Sequence, residues 1–220
     1  MLEQTTDNDP FYAKVVKAQY DEANSRHPKM LFARKYEYGY TLCELPKTFD
    51  DYFMKIEASA RRNYKKALRL GYKTKRMDFN KHLEDVRDIW VSTPVRQRRL
   101  MPQDIREGQV RPVTDPPSKT TYHDYPYYGV FKDEKVLAYA ACLIAGELCE
   151  VQNIYGHVQY QNDGLVPMLF IDIARELLNS FPAVKYYSYG TFYGAGETMR
   201  RFKQKFLFDP YHVTWKLSSM

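Results

Sequence analysis

The chain has 220 residues, 44% of them hydrophobic and 27% charged, a balance that fits one globular domain with a sizeable core. No apolar run approaches the roughly 18 residues a membrane-spanning helix needs, and the opening MLEQTTDNDP lacks the apolar stretch of a signal peptide, so a cytoplasmic location is expected. The net charge of +6 excludes nothing outright but biases the protein toward anionic partners such as coenzyme phosphates, RNA or acidic lipid.

Taken in chain order, residues 9–24 read as a first helix, within an N-terminal extension of residues 1–30. FARKYEYGYTLCELP (32–46) alternates and is rich in tyrosine, which predicts a strand or hairpin. Thr48 is a suitable N-cap for a helix in which Phe53, Ile56, Ala60, Tyr64 and Ala67 recur at three- and four-residue steps, with Gly71 as its stop. Arg61, Arg62, Lys65, Lys66 and Arg69 lie mainly off that apolar stripe. They form either a solvated face or a grip for something anionic. GYKTKRMD then reads as a strand and FNKHLEDVRDIWVST as an amphipathic helix with Leu83, Val86, Ile89 and Trp90 inward.

Residues 94–126 hold six prolines and little periodicity, which predicts a long substrate-facing loop. A meander of three strands follows, with a KDEK turn between the first two and AGE before the third. GLVPMLFIDIARELLNSF is apolar nearly all round and so predicts a buried helix. AVKYYSYG reads as a strand, GETMRRFKQKF as a short helix and YHVTWKL as the last strand. The whole reads as a single α/β domain over residues 1–220 with a mixed sheet. Cys43, Cys142 and Cys149 are odd in number with no C-x-x-C, so they are expected to be reduced. No cluster has metal-ligand spacing.

The densest signal is IYGHVQYQNDGLVPMLFIDIARELL (154–178), a strand, a short loop and a buried helix. The loop Gln161-x-x-Gly164-x-Val166 puts backbone N–H groups at a helix N-terminus, which suits a pyrophosphate, and a glycine lets it approach. The stretch resembles the GNAT superfamily of N-acyltransferases, whose coenzyme A loop reads Q/R-x-x-G-x-G/A. The resemblance implies a central, mostly antiparallel mixed sheet flanked by helices, with acyl-CoA bound by Ile154, Tyr155, Gly156, His157, Val158, Gln161, Asn162, Asp163, Gly164, Leu165 and Val166. Val166 stands where the family has a small residue. Near the chain's end Phe202, Lys205 and Phe208 match, Leu207 replaces a glycine, and Lys203 replaces the tyrosine often used as general acid.

Lys203, together with Leu45, Pro46, Arg61 or Arg62, Asn63, Lys66, Ala67 and Gly71, resembles the Fem-type branch, which transfers amino acids from aminoacyl-tRNA. That branch usually has two such domains, and this chain has room for one. The resemblance implies aminoacyl-tRNA as the partner of Arg61, Arg62, Lys65, Lys66 and Arg69.

Acyl transfer to an amine needs a base, a stabiliser of developing charge and two substrates side by side, with no covalent nucleophile. The resemblance implies Glu150 as the base, since the histone-acetyltransferase branch of the superfamily has its glutamate base at the corresponding place, eleven residues before Gln161 here; its pKa is raised toward neutrality if it faces an apolar cleft, and Glu147 is the lesser candidate. Lys203 is the expected acid or charge stabiliser, with Tyr193 behind it, and His123 and His157 are candidate proton relays. Three functions remain open: an acyl-CoA-dependent N-acyltransferase with an unidentified amine acceptor, a Fem-like aminoacyl transferase, and a non-catalytic binding module on the same scaffold.

Overall fold

The structure is a computed structural model that describes residues 9–28, 30–96 and 99–216. Helix α1 (Pro10–Asn24) opens with proline in its first turn, where a missing N–H costs nothing. Strand β1 (Tyr38–Glu44) is a single strand rather than a hairpin. The apolar stripe that follows predicts one helix, but the chain forms two, α2 (Phe49–Lys55) and α3 (Ala58–Arg69). Ile56 and Glu57 are extended at the break. Arg61 Nη1 donates to the carbonyls of Phe53 (3.2 Å), Met54 (2.5 Å) and Ile56 (2.8 Å), satisfying acceptors at the end of α2. The stripe stays buried across the break, at Ile56, Ala60, Tyr64 and Ala67.

Beyond Gly71, which adopts φ +83°, come β2 (Lys73–Met77), a 3-10 turn and α4 (Leu83–Val91). The proline-rich stretch carries a small hairpin, β3 (Val95–Arg96) with β4 (Arg99–Leu100), the helical turn α5 (Gln103–Arg106) and the short β5 (His123–Asp124). The meander is β6 (Tyr127–Lys132), β7 (Lys135–Ala145) and β8 (Leu148–Gly156). Asp133 and Glu134, both at positive φ, make the tight turn that KDEK predicts. Then come α6 (Leu165–Ser180), β9 (Tyr186–Thr191), α7 (Glu197–Lys205) and β10 (Asp209–His212). The final strand lies two residues earlier than its sequence predicts and ends at His212, whose partner Tyr38 is the first residue of β1. Leu207 sits at φ +65°, the left-handed conformation its glycine-bearing counterparts adopt freely.

The main sheet runs β10-β1-β9-β8-β7-β6-β2, with β5 also on β7. Its pairs are antiparallel except β8 with β9. One face packs on α2, α3, α6 and the α7–β10 corner, and the other on α4 and the turn before it. Phe170 of α6 is the hub of the first face. Its ring lies 4.9 Å from Tyr189, 5.3 Å from Phe206 and 5.5 Å from both Phe202 and Phe208. Truncation there empties the meeting point of β9, α7 and β10. Phe170→Ala is expected to lower unfolding free energy by about 3–5 kcal/mol in chemical denaturation.

Candidate active site at the parting of two strands

β8 and β9 pair in parallel over only three positions, Leu148 with Tyr186, Cys149 with Tyr187 and Glu150 with Ser188. Past Glu150 they part, although β8 continues to Gly156 and β9 to Thr191. β8 also bulges there. Cys142 of β7 faces Val151 and the preceding Ala141 faces Asn153, so Gln152 is the extra residue.

Two cavities open at the parting and share Tyr189 and Met199 as a wall. The cavity beside α6, about 310 Å³, is lined by Ile154, Gly156, His157, Val158, Gln161, Leu165 and Val166 of the predicted donor residues. Tyr155 points to the opposite face of the sheet, against Tyr139. Asn162, Asp163 and Gly164 turn away from the cavity toward α3. The Asn162 carbonyl accepts from Lys66 Nζ (2.7 Å), Asp163 accepts from the Tyr72 hydroxyl (2.7 Å) and lies 3.5 Å from Lys66, and Gly164 abuts the Asn63 carbonyl. Thus Lys66 and Arg61 are spent on the protein's own backbone, while Arg62, Lys65 and Arg69 stand exposed beside the loop.

The backbone expected to face a donor is largely partnered. His157 N–H donates to Leu137, Val158 N–H to Ser92 Oγ (3.1 Å), and the Gly156 carbonyl accepts from Arg96 (2.9 Å). Pro167, third in α6, carries no N–H, so the helix N-terminus offers the amides of Leu165 and Val166 without the next one. His157 lines the cavity; its Nδ1 accepts from the Gln159 N–H (3.3 Å), and burial lowers its pKa.

The second cavity holds Glu150 and Lys203, each about 95% buried. Glu150 Oε2 accepts from Gln19 Nε2 (2.6 Å) and Gln152 Nε2 (3.1 Å). Burial still pushes its carboxyl up to about 7, outweighing those donors. Lys203 Nζ donates to the carbonyls of Tyr189 and Thr191, the latter at 2.8 Å, and lies 4.8 Å from the Tyr189 ring centroid. Burial pushes it down to about 8, with Glu150 pulling the other way. A carboxyl and an ammonium that both titrate near neutrality in one cavity are matched for proton transfer at physiological pH.

The remaining candidates lie elsewhere. Tyr193 is 62% exposed with its ring over Gly39. Glu147 pairs with Lys185 at a hairpin end, which holds it down at about 2. His123 is buried 3.4 Å from Asp9 and stacks on Tyr12, fastening α1 to the proline-rich loop. That loop divides its work, since Val95 and Arg96 line the cavity beside α6 while Pro116 accepts from Tyr12 and Ser118 holds Asp9. Among the described residues no group of three or more His, Cys, Asp or Glu could hold a metal, and no helix is long and apolar enough to cross a membrane.

Residues that sequence reasoning passes over include Gln19, Tyr189 and Arg96. Gln19 did carry a signal: it is the polar member of a helical stripe, Tyr12, Val16, Gln19 and Ala23, whose other members are core.

Gly164 separates two physical reasons for a glycine. Both Gly164 (φ +88°) and Gly71 (φ +83°) need the left-handed region, but a Cβ at Gly164 would come within 2.5 Å of the Asn63 carbonyl, whereas one at Gly71 meets open space. Gly71→Ala is expected to cost about 1 kcal/mol and Gly164→Ala about 2–4 kcal/mol, read from denaturation midpoints.

No family model matches the chain, and no curated protein matches it in sequence. Solved structures do match. FemX aligns with TM-score 0.57 at 9% identity, over 82% of this chain and 61% of that one. A conserved protein of unknown function from Bacteroides thetaiotaomicron aligns at 0.52 and 12%, over 90% and 65%. The C-terminal domain of a chain from Agrobacterium fabrum, named for lysylphosphatidylglycerol synthetase, aligns at 0.51 and 16%, over 78% and 58%. This chain therefore spans about three-fifths of the length of the structures it resembles. The parted strands, the loop before α6 and these alignments give one conclusion: the chain has a GNAT-like fold of the kind seen in FemX.

Proposed function

We propose that this protein transfers an acyl group from an activated donor to an amine by direct attack within a ternary complex. The observation that carries the reading is the pair Glu150 and Lys203, buried in one cavity where β8 and β9 part. Glu150 takes a proton from the incoming amine as its nitrogen bonds to the donor carbonyl carbon; the acyl C–O bond of an ester donor, or C–S bond of a thioester, then breaks, and the proton held by Glu150 passes to the departing oxygen or sulfur. Lys203 has two of its three N–H groups on Tyr189 and Thr191. The third is directed to the charge that develops on the carbonyl oxygen or the leaving group. No covalent enzyme intermediate is needed, because holding both substrates across the parting supplies much of the rate.

The donor is an aminoacyl ester of tRNA in the reading we favour. Val166 and Pro167 weaken the α6 N-terminus as a pyrophosphate cradle, and Arg62, Lys65 and Arg69 offer phosphate contacts beside the loop. Acyl-CoA is the second reading, supported by the largely apolar cavity of about 310 Å³ against Leu165 and Val166. The acceptor is an amine in either case.

The pH dependence follows from the two groups. Glu150 must be ionised and Lys203 protonated, so kcat/KM should rise through about pH 7 and fall through about pH 8, a narrow bell. Glu150→Gln should lower the rate about 10²–10⁴-fold and remove the acid limb; Lys203→Met should lower it about 10²–10³-fold and remove the alkaline limb. The assay follows acyl transfer by mass spectrometry, with charged tRNA and acetyl-CoA offered in parallel to a pool of amines. Transfer from charged tRNA that weakens with salt and with charge reversal at Arg62, Lys65 and Arg69 supports the first donor. Transfer from acetyl-CoA that is insensitive to those changes supports the second. Transfer that survives both Glu150→Gln and Lys203→Met overturns the mechanism.

A further inference from the structure

On the other face of β8 from the donor cavity lies a separate cavity of about 460 Å³, within the roughly 300–1,000 Å³ of sites that enclose small molecules. Aromatic side chains make its floor: Phe79, Trp90, Tyr127, Tyr139 and Tyr155. Their positions are fixed by the protein. The Trp90 Nε1–H donates to the Tyr139 hydroxyl (2.7 Å), the Tyr127 hydroxyl donates to Asp115 (2.8 Å), and Tyr139 lies 5.6 Å from Tyr155. The rim is polar and exposed, with one carboxylate, one guanidinium and two carboxamides: Asp104, Arg111, Gln109 and Asn153.

The chemistry narrows the ligand. An organic cation is disfavoured, since the Arg96 guanidinium already lies 5.5 Å from the centroid of Tyr155 and Arg111 stands on the rim. An anion meets Asp104 on the same rim. A purely apolar ligand would leave four polar side chains without exchange for their water. What fits is a neutral ring with flat C–H faces for the aromatic floor and hydroxyls for paired donors and acceptors around it. That is a sugar ring.

The position gives the cavity a task. On β7, Tyr139, Ala141 and Leu143 alternate onto one face, and their partners across the ladder are Tyr155, Asn153 and Glu150. The bulge at Gln152 is what keeps Asn153 and Tyr155 on the same face as Glu150, because a regular strand would put residues 150 and 153 on opposite faces. Asn153 lies about 7 Å along the sheet from Glu150, because with the bulge three residues of β8 span what two residues of β7 span. We propose that this aromatic cavity binds a neutral sugar ring of the acceptor, so that the acceptor is a short saccharide whose amino group, on a ring further along, reaches Glu150. The role as acceptor rests on the acyl-transfer reading above; the sugar site itself does not.

Titration of Trp90 fluorescence tests the site without any turnover. In Trp215→Phe protein Trp90 is the single tryptophan. The probes are N-acetylglucosamine oligomers, cellobiose and maltose, with choline and a lysine-containing tripeptide as controls. The expected result is a saturable change with at least one saccharide, weakened about tenfold or more by Asp104→Ala with Asn153→Ala, and unchanged by Glu150→Gln. Both rim substitutions are at exposed positions, so the fold survives them. No saturable response to any saccharide, a response that the rim double substitution leaves intact, or saturation by choline would overturn the proposal. Saccharide binding without acyl transfer would sink the acyl-transfer reading and leave the site standing; acyl transfer without saccharide binding would do the reverse.

Discussion

Everything at the centre of this molecule depends on two strands that stop pairing. β8 and β9 part after Glu150, and β9 also bulges against β1, where Tyr40 faces Thr191 but Leu42 faces Ser188, so backbone carbonyls of this stretch need other donors. Tyr189 and Thr191 find one in Lys203, and the Tyr189 and Gly190 carbonyls also accept from Thr41 Oγ1 at 2.7 and 2.9 Å. A buried ammonium therefore serves carbonyls of this irregular stretch of β9 as well as being a candidate catalyst. The same burial strips its hydration and moves its titration toward neutrality. Structure and chemistry share one cause here.

The bulge in β8 is the second consequence of that region. It resets the alternation of side chains, so Val151 and Ile154 both serve the α6 core while Glu150, Asn153 and Tyr155 share the opposite face. The cavity beside α6 and the aromatic cavity are thus built on the two sides of one strand. Helix α1 meets Glu150 through Gln19, and the clasp of Asp9 with His123 and Ser118 holds that helix in place.

Much of this was legible in the residues. The meander and the buried α6 rest on strong local signals, alternation and an all-apolar helix, while Glu150 and Lys203, named as candidates through the resemblance, prove to be buried in one cavity. What escaped was tertiary. The stripe from Phe53 to Ala67 keeps helical spacing straight through Ile56 and Glu57, so periodicity could not reveal that the backbone breaks there and that Arg61 bonds the exposed carbonyls. The spacing Gln161-x-x-Gly164 reads as a phosphate-binding loop, and it carries no sign that Gly164 also has φ +88° and lies against the Asn63 backbone. Asn162 and Asp163 belong to the seam with α3 as well. Tyr189 rather than Tyr193 walls the site, because β9 alternation and not nearness to Lys203 in sequence decides which tyrosine points inward.

The central claim is that burial at the parting tunes Glu150 for proton transfer. Side-chain carboxyl NMR of glutamate-labelled protein, with the Glu150 signal assigned by its loss in Glu150→Gln, reads this directly. A titration midpoint near 7 is the predicted result. A midpoint near the ordinary glutamate value of about 4.3 would contradict it, because a carboxylate already ionised at that pH is too weak a base for the proposed step.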